Sequence, residues 1–345
     1  MNDSELIDTI QRAAQNCGFD ACGIVGTEEM AGYAEAISAR ITHFPGSNAM
    51  YDRFAAFATP SSTMPWAKAV IICAHWYGNY RVPENLQGVI GKSFCLDTRK
   101  DAYSKDYQGI RRFQTILSEL GLTYAVKHDY GVTALRWAAA KAGIGVIRKN
   151  NFFYTEQGSW HRLEAFLIDR ELELKLTPSI KKCPEKCGLC IKACPTKSLD
   201  APFQMNGLTC VSFLTSKGTC APGKELYDRC GSWIFGCDAC QDACPFNKKM
   251  WDAGADFPGL EELAGKLSFE QILSMDEDTL CDLLSQKFWY IAPDNMWKWK
   301  CNVLNAIHNS YDKKYLPYIE KSRMDARKEV REMAHWVFES VSSFP

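Results

Sequence analysis

Apolar positions in the first half of the chain recur with two different periods. A spacing of three to four residues, typical of amphipathic helices, predicts helices over residues 4–17, 107–120 and 132–142. Continuous apolar runs predict strands over residues 21–25, 67–75 and within 163–174. Strands that alternate with helices indicate an α/β or α+β domain over residues 1–175.

After residue 247 the periodicity is helical throughout. Helices are predicted over residues 267–273, 279–284, 303–308, 314–319 and 327–341. The last two, joined by a turn near residues 323–325, resemble one helical-hairpin repeat, so we expect an all-α module over residues 251–345. The intervening residues 176–250 contain too few aliphatic side chains for a core of their own and are expected to fold around bound clusters.

Composition and charge exclude several classes of protein. The 345 residues include 40 Lys+Arg and 41 Asp+Glu, so the net charge is -1 and a nucleic-acid partner would need a local basic patch. The longest strongly apolar stretch, residues 69–74, is too short to span a membrane. The acidic, polar N-terminus argues against a secretory signal, so we expect a reducing cytoplasm, in which the 16 cysteines are metal ligands or free thiols.

Ten of the 16 cysteines lie between Cys183 and Cys244, and their spacing is ordered. The runs are Cys183-x3-Cys187-x2-Cys190-x3-Cys194-Pro195 and Cys237-x2-Cys240-x3-Cys244-Pro245. Thiolates at these spacings wrap one face of a 4Fe-4S cubane, and a cysteine followed by proline reaches a neighbouring cluster. The pattern therefore predicts two 4Fe-4S clusters that conduct single electrons.

The same spacing predicts which thiolates share a cluster. One cluster would take Cys183, Cys187, Cys190 and Cys244. The other would take Cys194, Cys237, Cys240 and one more cysteine, for which Cys210 is the best candidate and Cys220 and Cys230 are alternatives. The competing interpretation is a pair of structural zinc sites, because Cys-x2-Cys pairs also bind zinc.

Nucleotide-binding loops are not evident. The sequence has no Gly-x4-Gly-Lys-Ser/Thr loop. Residues 143–148 lack the third glycine of a dinucleotide loop and follow a predicted helix instead of a strand. Direct nicotinamide chemistry is therefore not expected.

Four segments carry a family resemblance. They are Ala142-Gly143-Ile144-Gly145-Val146-Ile147-Arg148-Lys149-Asn150, Gly158-Ser159-Trp160, Cys210-Val211-Ser212-Phe213-Leu214-Thr215 and Gly236-Cys237-Asp238-Ala239-Cys240-Gln241. In this order, with Cys187 to Cys194-Pro195-Thr196 between them and Cys244-Pro245-Phe246-Asn247 after them, they resemble the cobalamin-dependent, iron–sulfur epoxyqueuosine reductase family. That family is itself similar to reductive dehalogenases. The resemblance covers nearly the whole chain.

The resemblance implies an α+β protein with three parts. These are a nitroreductase-like domain over residues 1–175 that binds cobalamin base-off, a ferredoxin-like domain with two 4Fe-4S clusters over 176–250, and a HEAT-like helical module over 251–345. It also makes Cys210 the remaining ligand of the second cluster. The implied cobalamin contacts are Cys95, Gly143, Gly145, Lys149, Asn150, Gly158, Ser159 and Ser212.

Asp129 lies thirteen residues before Ala142, where the family has its catalytic aspartate. Its implied role is to deliver a proton as the carbon–oxygen bond of an epoxide breaks. The alternative is that Asp129 caps the helix predicted to start near Val132.

The implied activity is the two-electron, two-proton reduction of epoxyqueuosine to queuosine in tRNA. The implied partners are tRNA and an external low-potential electron donor such as flavodoxin or ferredoxin, with no membrane. A candidate RNA surface combines rings and cations in Trp289, Tyr290, Trp297, Lys298, Trp299 and Lys300. The alternative is that these rings anchor the helical module to the cluster domain.

Some residues depart from the family pattern. Val146, Arg148, residues 130–133 and Ser216-Lys217-Gly218 differ from the residues usual at these positions. These departures fall where the substrate and the corrin edge are expected. Two alternative functions are therefore a cobalamin-dependent reductase of a small molecule, and an electron carrier or corrinoid-binding protein without its own substrate.

Overall fold

The computed structural model describes residues 1–128, 130–220 and 225–342. The N-terminal part contains α1 (Asp3–Asn16), β1 (Ala21–Gly26), α2 (Gly32–His43), α3 (Asn48–Ala55), α4 (Pro60–Thr63), β2 (Ala69–Trp76), β3 (Tyr80–Arg81), α5 (Lys92–Cys95), α6 (Lys105–Glu119), β4 (Tyr124–Ala125), α7 (Leu135–Lys141), β5 (Val146–Ile147), β6 (Phe153–Tyr154) and β7 (His161–Ile168). The middle part contains α8 (Leu189–Ala193), β8 (Leu199–Ala201), β9 (Gln204–Met205), α9 (Val211–Lys217), α10 (Glu225–Asp228), α11 (Ala239–Asp242) and β10 (Ala255–Asp256). The C-terminal part contains α12 (Leu260–Ala264), α13 (Phe269–Ser274), α14 (Glu277–Leu284), α15 (Trp297–Asn309), α16 (Leu316–Ser322) and α17 (Lys328–Ser342).

The main sheet has the strand order β1-β2-β7-β4, and each neighbouring pair is antiparallel. Successive side chains of a strand point to opposite faces. Ile71 of β2 packs with residues of α1 and α6, whereas Val70 and Ile72 pack with residues of α7. The sheet is therefore covered by helices on both faces, and α7 lies on the face opposite α1.

Helix α7 starts later than its apolar pattern predicts. It begins at Leu135, and its N-cap is Ala134, which makes no side-chain capping hydrogen bond. The capping role considered for Asp129 is therefore not supported; Asp129 itself lies outside the described residues. The helix ends where predicted, before Gly143, whose φ of +73° suits a left-handed terminus. A Cβ on Gly143 would lie 1.7 Å from the carbonyl oxygen of Leu176, so a larger residue does not fit.

The C-terminal helices share one hydrophobic core with residues 77–96 and with residues 234–235. Trp299 at its centre is fully buried and stacks on Phe235, with ring centroids 5.1 Å apart. In addition, β10 pairs in parallel with β3 of the N-terminal part. These contacts fix the helical module against both other parts of the chain.

The fold is thus a mixed helix and strand architecture, as predicted. Within the described ranges, the structure contains no helix of the length and apolarity needed to cross a membrane.

Candidate active site

The first group of cysteines lies between α8 and the loop after α11. Cys183, Cys187, Cys190 and Cys244 line one small pocket. Burial raises the pKa of the Cys190 thiol, and the neighbouring thiols of Cys183, Cys244 and Cys187 raise it further. These are the four residues that the spacing assigns to one cluster.

The second group lines a larger cleft and consists of Cys194, Cys210, Cys237 and Cys240. Burial raises the pKa of Cys240 well above its usual value, and Cys210, Cys237 and Cys194 add to the effect. Thiols that raise one another's pKa in this way become thiolates readily only when a metal centre compensates their charge.

The two alternatives to Cys210 point elsewhere. The Sγ atom of Cys220 lies 3.6 Å from Oδ1 of Asn302 on α15. The Cys230 thiol donates to the carbonyl of Leu226 over 3.7 Å and packs in a small apolar cluster with Val211. Of the three candidates, only Cys210 lines the cleft with the other thiols of its group. Among the residues that the structure describes, no three Cys, His, Asp or Glu side chains converge on a point suited to a single metal ion.

Two buried cations organise the first cysteine loop. The Lys149 ammonium donates to three carbonyl oxygens, those of Pro184 at 2.9 Å, Glu185 at 2.5 Å and Cys187 at 2.9 Å. The neighbouring Arg148 is 1% exposed and donates to the carbonyl of Lys181 over 2.6 Å. Lys149 thus binds the cysteine loop, and Arg148 helps to hold it.

A buried polar network joins residues 150–159 to the second cysteine loop. Asn150 donates to the carbonyl of Cys240 over 3.1 Å. The Ser159 hydroxyl donates to Gln241 over 2.8 Å, and its backbone N–H donates to Oδ1 of Asn247 over 2.8 Å. Gln241 and Asn247 belong to segments that carry the family resemblance, but no role was predicted for them, because the spacing of a single amide does not indicate its partner.

The predicted cobalamin contacts divide into two groups. Asn150, Ser159 and Ser212 line the cleft. The others contact protein atoms: Lys149 as above, and Gly143, Gly145 and Gly158 at close backbone approaches. Cys95 is fully buried in the core shared with the helical module. Close packing therefore accounts for the glycines without a ligand.

The cleft continues into a second cavity. The part beside the cysteines has a volume of about 510 Å³, and the part beneath α2 and α3 has a volume of about 660 Å³. Met50, Phe54, Leu135, Arg136 and Met205 line both parts, so the space is continuous. A cavity of this combined size accommodates a large organic group as well as a substrate.

Arg40 and Arg136 line the part of the cavity beneath α2 and α3. Arg40 donates to Oδ1 of Asn151 over 2.7 Å, and Arg136 donates to the carbonyl of Asn151 over 2.5 Å. Neither is ion-paired with a carboxylate of the described residues. The side chain of Arg136 has accessible surface because it faces the cavity. Protein atoms around the guanidinium nevertheless desolvate it and lower its pKa. Such a pair of guanidiniums is suited to an anion, phosphate above all.

A small polar cavity of about 170 Å³ adjoins the cleft. Glu164 is 4% exposed there, and its carboxylate lies 3.2 Å from Nδ1 of His128, which directly precedes Asp129. Burial lowers the pKa of His161 to about 3, so its ring is neutral. Its Nε2 lies 2.8 Å from the Thr155 hydroxyl, whereas its buried Nδ1 has no hydrogen-bond partner among the described residues.

Three aromatic rings form a cluster at the edge of the cleft, which Tyr130 and Tyr290 line, and we call this edge its mouth. Trp289 and Tyr290 stack with centroids 4.0 Å apart, and Tyr130, which directly follows Asp129, meets both edge-on at 6.0 and 6.1 Å. Tyr130 is 41% exposed. The residues on both sides of Asp129 therefore contact other parts of the protein, His128 the sheet and Tyr130 the helical module.

The RNA surface predicted around α15 is wrong for most of its members. Trp297 and Trp299 are buried, Lys300 pairs with Asp325 at 2.7 Å, and Lys298 donates to the carbonyl of Gly218 over 2.8 Å. These residues anchor the helical module, as the alternative interpretation states. Trp289 and Tyr290 alone in this set lie at the cleft mouth with Tyr130.

Comparison with known proteins agrees with this arrangement. A family model described as "4Fe-4S double cluster binding domain" matches residues 182–247. An epoxyqueuosine reductase from Prochlorococcus marinus is 29% identical over 333 residues, which cover 88% of this chain and 97% of that protein.

Solved structures resemble the whole fold. A crystal structure of epoxyqueuosine reductase with an epoxyqueuosine-modified tRNA-Tyr stem loop has a TM-score of 0.80 at 23% identity, covering 99% of this chain and 91% of that one. A Bacillus subtilis epoxyqueuosine reductase whose catalytic aspartate loop is swung out of the active site has a TM-score of 0.79 at 23% identity, with the same coverage. The predicted resemblance to the epoxyqueuosine reductase family is therefore confirmed along nearly the whole chain, together with a 4Fe-4S binding domain over residues 182–247.

Proposed function

We propose that this chain is an oxidoreductase that reduces epoxyqueuosine to queuosine in tRNA with two 4Fe-4S clusters and cobalamin. One observation carries the proposal: the thiols of Cys194, Cys210, Cys237 and Cys240 open onto a cleft large enough for a cofactor and a substrate. Electrons that reach this group would be delivered inside a cavity. A simple electron carrier has no need of such a cavity, so that alternative is disfavoured.

We assign the first group, Cys183, Cys187, Cys190 and Cys244, to one cluster and the second group to the other. Cys183 and Cys187 are partly exposed and do not line the cleft, whereas all four cysteines of the second group line it. Electrons would therefore enter at the first cluster and leave from the second. The division of the chain at residues 175 and 250 into nitroreductase-like, ferredoxin-like and HEAT-like parts belongs to the same proposal.

The cleft fits cobalamin on two grounds. Its two connected parts are lined by apolar residues such as Met50, Phe54 and Leu135, which suit the faces of a corrin. Arg40 and Arg136 lack carboxylate partners among the described residues and suit the phosphate of its nucleotide loop. The side chains of Asn150 and Ser159 are already hydrogen-bonded to the protein, so Ser212 is the one of the three cleft-lining polar residues that would hold an amide side chain. Bound cobalamin would supply the low-potential reductant that attacks the epoxide.

Asp129 would deliver the proton as the carbon–oxygen bond breaks. Its neighbours support this role, because His128 is bonded to Glu164 in the sheet and Tyr130 lies against Trp289 and Tyr290 at the cleft mouth. The complete reaction consumes two electrons and two protons and releases an alkene and water.

The tRNA would approach the mouth of the cleft through two cations. Arg53 and Lys217 line the cleft and are exposed. Burial lowers the pKa of Lys217, and Lys298 and Arg53 lower it further. Neither Arg53 nor Lys217 is ion-paired with a described carboxylate. Unpaired cations beside aromatic rings are what a splayed RNA loop requires.

Turnover of modified tRNA tests the proposal. Anaerobically reconstituted protein with cobalamin and dithionite should convert epoxyqueuosine-containing tRNA to queuosine-containing tRNA, detected by nucleoside mass spectrometry. Asp129→Asn should keep iron and cobalamin but lose most turnover, while Asp8→Asn, on the opposite face of the sheet, should retain it. Reduction of a small epoxide or halide without any reduction of tRNA would overturn the proposal in favour of a small-molecule reductase.

A further inference from the structure

Six exposed lysines lie close in the sequence to the first group of cysteines, and we call them the lysine face. Lys181, Lys182, Lys186, Lys192, Lys248 and Lys249 are all exposed. Each lies within five residues of a cysteine of this group, so the sequence alone holds the lysines near it. None of the six is ion-paired with a carboxylate of the described residues. Across residues 181–194 the single acidic residue is Glu185.

The centre of this face is apolar. Leu189 is 45% exposed and lines the same pocket as Cys183, Cys187, Cys190 and Cys244. An exposed leucine beside four thiols that would hold a cluster, with unpaired lysines close to it in the sequence, has the composition of a transient protein-docking site. The cations raise the rate of encounter, and the apolar centre allows close approach to the group.

We propose that this lysine face docks an acidic one-electron carrier protein, which reduces the cluster held by the first cysteine group. The proposal rests on the proposed function, since it requires a cluster at this group. In each encounter one electron leaves the reduced centre of the carrier and enters the cluster, so the carrier is oxidised by one electron and the cluster is reduced by one. Two encounters supply the two electrons that the reduction of one epoxide consumes.

Charge complementarity selects this occupant. The chain as a whole has a net charge of -1, so the local excess of lysine is not a property of the entire surface. RNA would also be attracted to lysines, but the rings on which a base could stack, Trp289 and Tyr290, lie at the mouth of the cleft. The lysine face has Leu189 at its centre, which suits a protein surface better than a phosphate backbone.

Stopped-flow reduction of the holoprotein by reduced flavodoxin, without RNA, tests the proposal. Lys182→Glu with Lys186→Glu should lower the second-order rate constant about tenfold at low salt, and the deficit should shrink as salt screens the charges. The matched control, Lys105→Glu with Lys321→Glu, changes the same charge at exposed positions away from the face. Dithionite, which needs no docking surface, should reduce all variants at the wild-type rate at high salt, where the attraction of this anion to the lysines is screened.

Equal flavodoxin rates in the face variant and the control would overturn the proposal. A slower reaction with dithionite as well would mark damage to the cluster. In that case the pair Lys248→Glu with Lys249→Glu, which lies after Cys244, is measured instead, and a flavodoxin rate equal to that of the control would overturn the proposal. Unchanged flavodoxin rates with lost binding of a tRNA-Tyr anticodon stem-loop would assign the face to RNA and also overturn the proposal. Because no RNA is present in the rate measurement, fast reduction by flavodoxin without turnover of tRNA would support the docking face and refute the proposed substrate.

Discussion

Replacing Lys149 with methionine should release the first cluster and leave cobalamin binding unchanged. The ammonium donates three hydrogen bonds to carbonyls of the loop that carries Cys183 and Cys187. A hydrogen bond to a charged group contributes about 1.5–3 kcal/mol. The three hydrogen bonds share one donor, and methionine also removes a charge that is costly to bury. We therefore expect the free energy that stabilises this loop to fall by about 3–5 kcal/mol. That loss corresponds to roughly 10²–10⁴-fold weaker retention of the cluster.

Iron release to a chelator measures this effect. Anaerobic Lys149→Met protein should lose about half of the roughly eight iron atoms expected for two cubanes, rapidly and in one phase. Lys192→Met, an exposed lysine of the same segment, should release iron at the wild-type rate. Weakened cobalamin binding with both clusters intact would refute the reasoning and support the cobalamin contact that the family resemblance implies for Lys149.

Three further predictions concern other parts of the molecule. Lys217→Glu should weaken binding of a tRNA-Tyr anticodon stem-loop and reduce the slope of log affinity against log salt by about 1, whereas Arg12→Glu on α1 should leave the slope unchanged; equal slopes would exclude Lys217 as a phosphate contact. Asn302 donates to the buried carbonyls of Thr215 and Ile234 at 2.7 and 2.9 Å, so Asn302→Leu should lower the free energy of unfolding by about 2–4 kcal/mol in denaturant titration, compared with little change for the exposed Asn309→Leu. His161 has its pKa lowered from 6.5 to about 3 in the folded protein, so the unfolded chain binds the extra proton first and His161 makes stability fall as the pH drops from about 6.5. His161→Gln should remove this contribution, so the Tm of the variant should fall less than that of the wild type between pH 7 and 5. Parallel plots of Tm against pH for the two proteins would contradict the lowered pKa of His161.

The regular elements were largely predictable because their side chains obey one clear period. α1 and β2 follow their apolar patterns to within two residues, since Leu6 and Ile10 face the sheet and residues 69–74 are buried on both faces. α2 and α3 were missed. Ile37 is the buried side chain of α2, and Tyr51 that of α3, because the rest of these helices faces the cavity and solvent. A helix that lines a cavity has no complete apolar stripe to recognise.

Parts of the candidate site were predictable for a different reason. Cysteine spacing limits which thiols can meet, and the structure groups them in the same two sets of four, while the cluster assignment remains a proposal. The chemistry of a lysine, by contrast, does not reveal whether it contacts a cofactor or a loop carbonyl, so Lys149 could not be placed. The alternation of rings and cations around Trp299 suggested RNA binding, but α15 is central in the helical module and most of its side chains face inward. The position of Asp129, outside the described residues, stays a prediction.

Metal and corrin content tests the central claim most directly. Protein reconstituted anaerobically with iron, sulfide and cobalamin, then desalted, should contain about eight iron atoms and one corrinoid per chain, because two sets of four thiols bind two cubanes and the cleft retains the corrin. About four iron atoms, zinc in place of iron, or complete loss of the corrinoid on desalting would contradict the account.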